Sequence, residues 1–355
     1  MSVIHLNLSA LFLGLMLIDS PVAKAQPPPG PVAFTTAAPT KVPQAPVRTI
    51  HLMVTLAWEG RDLSVYNQQA WAAFRARFPG LQIMHLVSPA YFTKPAADQT
   101  AVRSTLRQAM RPKDQFGLLL GNWQSLANAS GVIFRSSPTV WGSEVKADDC
   151  SSDCGLEVPV NIYPADELDK MLQTSVHIME AQGFGRPSAV AVEGWVASSE
   201  ILEAAYRAGM RYDLSAVSPE MIGAKTRYYP IYQWAKSLWP RITPHSQPYQ
   251  IQLAKGAMTE LPQSLAAVDY LAQSDILDIF KEYVERVQRD PQTPLVFPLQ
   301  IYQETAYMTL PALATTLQAV IAYAQKAGVA LTPLQSPDLE LPEDRLLSGA
   351  MPIAH

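Results

Sequence analysis

From Thr49 onward, short apolar runs alternate with longer segments in which apolar residues recur every three or four positions. The first kind of pattern predicts buried strands and the second amphipathic helices. In order, IHLMVTLAW reads as a strand, NQQAWAAFRARF as a helix, LQIMHLVS as a strand and ADQTAVRSTLRQAM as a helix. FGLLLG follows as a third strand, ADELDKMLQTSVHIMEAQ as a helix with acidic residues in its first turn, SAVAVEG as a strand and SSEILEAAYRAG as a helix. Gly183 and Gly209 stand just past two of these helices, where a chain leaving a helix turns left-handed. DILDIFKEYVERVQ carries Ile276, Ile279, Phe280, Tyr283, Val284 and Val287 on one face; LVFPLQIY is a strand and LPALATTLQAVIAYAQKAG the last long helix. Strands separated by helices predict a parallel sheet with crossover connections, here a single α/β barrel-like domain.

The ends of the chain follow other rules. Leu6 to Ile18 is an apolar run, and Ala23-Lys24-Ala25 is an A-x-A-like cleavage site, so residues 1–25 read as a secretory signal peptide. Its leading residues include His5 but no Lys or Arg, which leaves an uncleaved anchor as the alternative. Residues 26–48, QPPPGPVAFTTAAPTKVPQAPVR, are rich in Pro and Ala and read as a linker; 49–333 form the barrel, and 334–355 a tail broken by proline. No later segment is expected to span a membrane, and the mature protein is expected in the periplasm or outside the cell. Cys150 and Cys154, with three residues between them in DDCSSDCG, predict a small disulfide-closed loop in such an oxidising compartment, a metal site being the weaker alternative because no His is near. The net charge of −4, with Lys and Arg scattered singly, argues against nucleic acid as a partner.

In parallel sheets and barrels, ligands meet the carboxyl ends of the strands. That directs attention to Trp58-Glu59-Gly60-Arg61-Asp62, Leu119-Leu120-Gly121-Asn122, Ala191-Val192-Glu193-Gly194-Trp195 and Tyr302-Gln303-Glu304. Four stretches containing them, VTLAWEGRDL, the run from FGLLLGNW through SGVIFRSSPTVWG, SAVAVEGWVASSEILEAAYRAGMRYDLSAV and LQIYQETAYMTL, resemble in order and spacing the polysaccharide deacetylase superfamily. The resemblance covers roughly Thr49 to Pro333. It implies a distorted (β/α) barrel of the polysaccharide deacetylase type, in which one carboxylate and two histidines hold a divalent metal and a second carboxylate acts as base.

The sequence departs from that pattern where the chemistry should be. Where active members read G-L-H-I-H-G-W, this chain has Gly117 to Trp123 with Leu119 and Gly121 at the two histidine positions. An expected arginine is Ala191, an expected glycine is Glu193, and the histidine before Q-E-T-A is Tyr302. Leucine and glycine side chains have no lone pair to offer a metal, and a tyrosine of ordinary acidity, pKa ~10, is a poor substitute for a histidine acid. The six histidines do not rebuild the site: no two share an H-x-H or H-x-x-x-H spacing, and each lone one is expected to be packed or solvated. No metal and no cofactor are therefore expected.

The joint loss predicts a pseudoenzyme of the cell envelope whose remnant cleft binds a glycan, such as a peptidoglycan fragment, or a protein partner. Glu59 and Asp62 match the carboxylates that serve as base and metal ligand in active relatives; here they are either a sugar-binding remnant or a solvated turn. The ligand-binding candidates are Trp58, Glu59, Arg61, Asp62, Asn122, Trp123, Glu193, Trp195, Tyr302 and Glu304. Trp141, Tyr91 and Phe92 are further rings that either stack on a sugar or pack the loops. The aromatic stretch within Lys225 to Gln252, TRYYPIYQWAKSLWPRI, lacks a helical period and is read as an interaction loop rather than a packed insertion. Two rivals remain: an active hydrolase or deacetylase with altered, metal-independent machinery built on Glu59, Asp62, Glu193 or Glu304, and an adaptor that binds no glycan and uses its Pro-rich arm or aromatic loop.

Overall fold

The computed structural model describes residues 48–61, 63–95, 97–142 and 153–334. The signal peptide, almost all of the linker, Asp62, Cys150 and the C-terminal tail beyond Leu334 lie outside the described residues.

The chain runs β1 (Thr49–Trp58), α1 (Val65–Arg77), β2 (Met84–Val87), α2 (Gln99–Ala109), β3 (Gln115–Leu120) and α3 (Gln124–Ala129). It continues with α4 (Ala165–Ala181), β4 (Ala189–Val192), α5 (Ser199–Arg207), β5 (Tyr212–Asp213), α6 (Pro219–Thr226) and α7 (Pro230–Leu238). After a hairpin of β6 (Tyr249–Leu253) and β7 (Gly256–Glu260) come α8 (Gln273–Arg289), β8 (Leu295–Tyr302), α9 (Ala306–Lys326) and β9 (Ala330–Pro333). Every strand and helix expected from the hydrophobic pattern is present, most within two or three residues of the expected ends. α9 starts four residues earlier than its pattern suggested, at Ala306, and carries Pro311 inside it.

The sheet order is β6-β7-β5-β4-β3-β2-β1-β8, with β9 added to the first half of β1. All pairs are parallel except the β6–β7 hairpin. The sheet curls until its two ends meet. Ala267, just past β7, bridges Gln300 on β8. Lower down, the Gln247 side chain stands in for a strand: Val296 N–H donates to its Oε1 at 2.7 Å, and its Nε2 donates to Val296 O at 3.2 Å. The result is an α/β distorted barrel, closed on one seam by an amide side chain and a single bridge.

Period-two alternation divides the strands between two cores. Met53, Ala57, Met84, Leu86, Leu119, Ala191, Leu214, Leu261 and Val296 fill the barrel interior. The opposite faces, including Leu52, Leu56, Leu118, Leu120 and Phe297, pack with Trp71, Phe74, Phe280 and Leu317 from the surrounding helices. Among the described residues one helix, Gln303–Lys326, is long and apolar enough to cross a membrane, which the sequence reading did not anticipate. Its Leu310, Leu313, Leu317, Val320 and Ile321 are buried in the core that also holds the α8 face, which accounts for that apolarity within the fold.

The region from Lys225 to Gln252 corrects the expectation of a segment without regular structure. Pro230 opens α7, Ile231 and Ala235 form its buried stripe, and Trp239 and Ile242 are buried beyond it. Proline at the first helical position and an i, i+4 apolar pair carry this helix, a pattern too short to stand out among the surrounding aromatics.

Candidate functional site

At the carboxyl ends of β1, β4 and β8 three glutamates converge. Glu59 follows β1, where Gly60 turns the chain at φ +99°. The turn is held from β3, since Trp123 Nε1 donates to Glu59 O at 2.8 Å. Glu193 follows β4, with Gly194 left-handed behind it. Glu304 follows β8; Asn67 Nδ2 donates to its carbonyl, and Arg61 Nε pairs with its Oε2 at 3.2 Å. Arg61 is 56% exposed at the rim, whereas the Glu304 side chain is 16% exposed.

Burial keeps these acids protonated to higher pH than ordinary carboxylates. The Glu193 carboxyl is pushed up to about 8, first by burial and then by the charge of Glu304, with Arg61 and the Gly194 N–H pulling the other way. Glu59 is held well above the usual range by burial and by its neighbours Glu193 and Glu304. Glu304 is also raised by burial, with Glu59 and Arg61 opposing. Two of the carboxyl oxygens, Glu193 Oε1 and Glu304 Oε1, are buried without a hydrogen-bond partner. The Tyr302 phenol, on the inner face of β8, is likewise raised by burial and by Glu193.

The floor beneath them is sealed. Trp195 reaches across the barrel mouth from β4, and its Nε1 donates to Gln300 Oε1 on β8 at 3.1 Å. Tyr270 meets its ring edge-on at a centroid distance of 5.4 Å. Leu119 lies below, 2% exposed and paired in register with Ala191.

Of the ligand-binding candidates, Glu59, Arg61, Glu193, Tyr302 and Glu304 come together at this site, while Asp62 lies outside the described residues. The remaining four face inward. Trp58 is 1% exposed and donates to His85 Nδ1 on the helix side of β1. Asn122 is fully buried, its Nδ2 donating to Arg135 O and its Oδ1 accepting from the Tyr163 hydroxyl. Trp123 and Trp195 are 4% and 2% exposed, with both indole N–H groups engaged as described. Their apolar bodies fill the roof of the barrel and their polar tips satisfy buried carbonyl and amide groups, which leaves no open ring face for a sugar. Tyr91 and Phe92 are buried as well.

Exposed rings stand instead on two sides of the glutamates. Tyr66 and Tyr307, 64% and 62% exposed, form a tilted pair at 5.9 Å. Asn67 ties them to Glu304 by accepting from Tyr307 N–H and donating to Glu304 O. Trp141 and Tyr229 meet edge to face at 5.3 Å, beside Val140 and Ile231, which flank Gly194. Sequence reasoning named Trp141 and the segment holding Tyr229 but passed over Tyr66 and Tyr307. YNQQ and TAYM carry aromatic residues on the polar side of a helix start, the one signal available.

The residues present do not fit the two-histidine metal set that the resemblance implies. Leu119 is inside the apolar plug, and a Cβ on Gly121 would be crowded by Glu193 Cγ at 3.2 Å and Leu156 at 3.3 Å. Among the described residues no group of three His, Cys, Asp or Glu side chains is placed to hold a metal. Among the described residues His85 lies against Trp58 and Asp114, His245 pairs with Glu282 and His51 meets Thr332, while His177 is exposed on α4.

The sequence matches no family model and no curated protein. Solved structures with a similar fold include the Puue allantoinase, 14% identical, with a TM-score of 0.48 over 88% of this chain and 96% of that one. A probable polysaccharide deacetylase from Pseudomonas aeruginosa PAO1 is 12% identical, with a TM-score of 0.47 over 82% of this chain and 89% of that one. A CE4 family pseudoenzyme from Bacillus anthracis is 9% identical, with a TM-score of 0.37 over 80% of this chain and 67% of that one.

Proposed function

We propose that this chain is a non-hydrolytic glycan-binding protein of the cell envelope, a deacetylase-like barrel whose strand-end site holds sugar without cleaving acetyl groups. The observation that carries the reading is the exchange at the mouth: the Glu193 side chain, through its Cγ, lies 3.2 Å from where a Cβ would stand on Gly121, the position at which the motif resemblance places a metal-binding histidine. A protonated Glu193 donates a hydrogen bond to a sugar hydroxyl, and the Arg61-paired Glu304 accepts one, so the pair complements a polyol without generating a nucleophile. The flanking pairs Tyr66–Tyr307 and Trp141–Tyr229 offer ring faces of the kind on which pyranose rings stack.

The test is elemental analysis of the purified protein, acetate release from chitin oligomers and peptidoglycan, and calorimetric titration with the same glycans. The expected result is saturable binding with no acetate released and no stoichiometric zinc. Stoichiometric metal accompanied by turnover ends the proposal.

One observation favours a second reading. A carboxyl held protonated to about 8 beside an ionisable one is also what a metal-free glycosidase needs of its acid and its base. Reducing-end release from a glycan that disappears in Glu59→Gln and Glu193→Gln would establish that reading instead.

A further inference from the structure

A second site opens on the flank of the barrel, and none of the three glutamates lines it. We infer that the groove between α1 and α2 binds a small amphipathic anion, an apolar body carrying one carboxylate, with its acid head at Arg75 and Arg111.

The shape comes first. Between the two helices lies a cavity of about 420 Å3, floored by Trp58 and Trp71 and walled by Gln68 and Ala72 on one side and Thr105 and Gln108 on the other. Trp71 Nε1 donates to Ala109 O at 3.3 Å, which fixes the indole across the floor from α1 to α2. Ala72 and Ala109 line the groove with methyl groups alone, too small to fill the space above the indoles. The volume falls within the roughly 300–1,000 Å3 typical of sites for small organic molecules, which likewise combine apolar walls with a few placed polar groups.

Charge selects the ligand. Neither α1 nor α2 contains an acidic residue, whereas α1 carries Arg75 and Arg77 and α2 carries Arg103 and Arg107, in a chain whose net charge is −4. Arg75 and Arg111 line the cavity itself, and no acid does. Asp114 receives Arg75 Nη2 on both oxygens and the backbone N–H of Arg111. Among the described residues the Arg111 guanidinium donates to two carbonyls, Pro79 O and Arg75 O, and forms no ion pair. Two guanidinium groups therefore share one carboxylate, and one positive charge at this end of the groove is unanswered.

A donor without an acceptor marks the same end. Arg75 is 3% exposed, and its Nη atoms are taken by Leu81 O and Asp114, yet its Nε is buried with no partner. Buried polar groups are almost always paired. A carboxylate brings both the missing charge and acceptor oxygens, in the planar form that guanidinium groups match. The apolar body then lies along the indoles toward Val65, which lines the other end and is 56% exposed.

The experiment is a calorimetric titration of the full protein with phenylhexanoate, phenylhexanol and phenylhexylamine, which share one body and differ in the head group. Phenylhexanoate is expected to bind at one site, at least ~10-fold more tightly than the alcohol, and the amine more weakly than either. Ala72→Trp, which fills the groove from the exposed side of α1, should weaken phenylhexanoate at least ~10-fold with the wild-type circular dichroism spectrum kept; Thr105→Trp does the same from α2 should the first variant fail to fold. Arg111→Gln should remove the preference for the acid while leaving the alcohol unchanged, and Arg111→Lys should retain it. Equal binding of acid and alcohol, a preference that survives Arg111→Gln, binding untouched by a folded groove-filling variant, or no binding of phenylhexanoate overturns the inference.

Discussion

Glu193 Cγ lies 3.2 Å from the point where a Cβ on Gly121 would stand, so the two residues, just past the ends of the adjacent strands β3 and β4, divide one space between them. A Cβ at Gly121 forces Glu193 to give by a few tenths of an ångström from this rotamer. The two departures from the motif, glycine for histidine and glutamate for glycine, are therefore one change in packing. Gly121→Ala is expected to destabilise the protein by ~1–3 kcal/mol through this contact. In a Glu193→Ala background the same substitution should cost little, giving a coupling of ~1 kcal/mol or more in a double-mutant cycle followed by chemical denaturation.

A second pair of acids, away from the mouth, gives the protein an alkaline weakness. Asp213 and Glu260 are fully buried neighbours on β5 and β7, and both are raised, Asp213 by burial and Glu260 by burial and then by Asp213. Ser215 donates to Asp213 and Ala216 N–H to Glu260. Because the folded-state values lie above the unfolded ones, the stability these groups contribute is whole below the ordinary carboxylate range and lost as pH rises through the raised values. Glu260→Gln keeps an acceptor for Ala216 and offers Asp213 a permanent donor. Thermal melts should show Glu260→Gln gaining at least ~2 °C over wild type at pH 9 and less at pH 5.

Arg75 and Asp114 behave in the opposite sense. Their side chains are 4% and 2% exposed, and Arg75 Nη2 donates to both Asp114 oxygens at 2.8 and 2.9 Å. Burial alone would raise Asp114, but His85, the Arg111 N–H and Arg75 together hold it below its ordinary value. A depressed carboxyl contributes stability above its unfolded pKa and loses it as pH falls through the folded one. Asp114→Ala, which strands a buried guanidinium, should cost ~3–5 kcal/mol in urea titration at pH 7 and progressively less below pH 4.

Gln247 is the third point of vulnerability. Its amide supplies both partners of Val296 on β8, and its Nε2 also meets the Tyr283 hydroxyl. Gln247→Ala leaves a buried N–H and C=O without partners, at ~1–3 kcal/mol. Hydrogen exchange should accelerate at Val296 well before it does at Leu299, which is held by β1 alone.

The barrel was legible because its signal is redundant. VTLAW, MHLV, LLL and VFPLQIY are buried on both faces, and each is followed by an amphipathic helix, so the order alone implies parallel pairing. β5, two residues long, and the β6–β7 hairpin were not, since YD, YQIQL and GAMTE carry no apolar run. At the mouth, the strand-end rule found Glu59, Glu193 and Glu304, because position after a strand is a property of sequence. It could not distinguish Trp58 and Trp123 from Tyr66 and Tyr307. Which way a ring turns at a strand end depends on what other elements leave open, and Trp123 turns inward because the Glu59 carbonyl and Lys94 await it there. Tyr270, edge-on to Trp195, reaches the mouth from the connection between β7 and α8, which no local pattern ties to the barrel mouth.

Trp195 also makes the protein its own optical instrument. Its indole is fixed to Gln300, shielded from solvent and two residues from Glu193, so its emission responds to charge at Glu193. Ionisation of Glu193 changes the field at the ring. A tryptophan spectrum followed across pH, compared with that of Trp195→Phe, therefore reads the electrical state of the mouth directly from the protein, with no label attached.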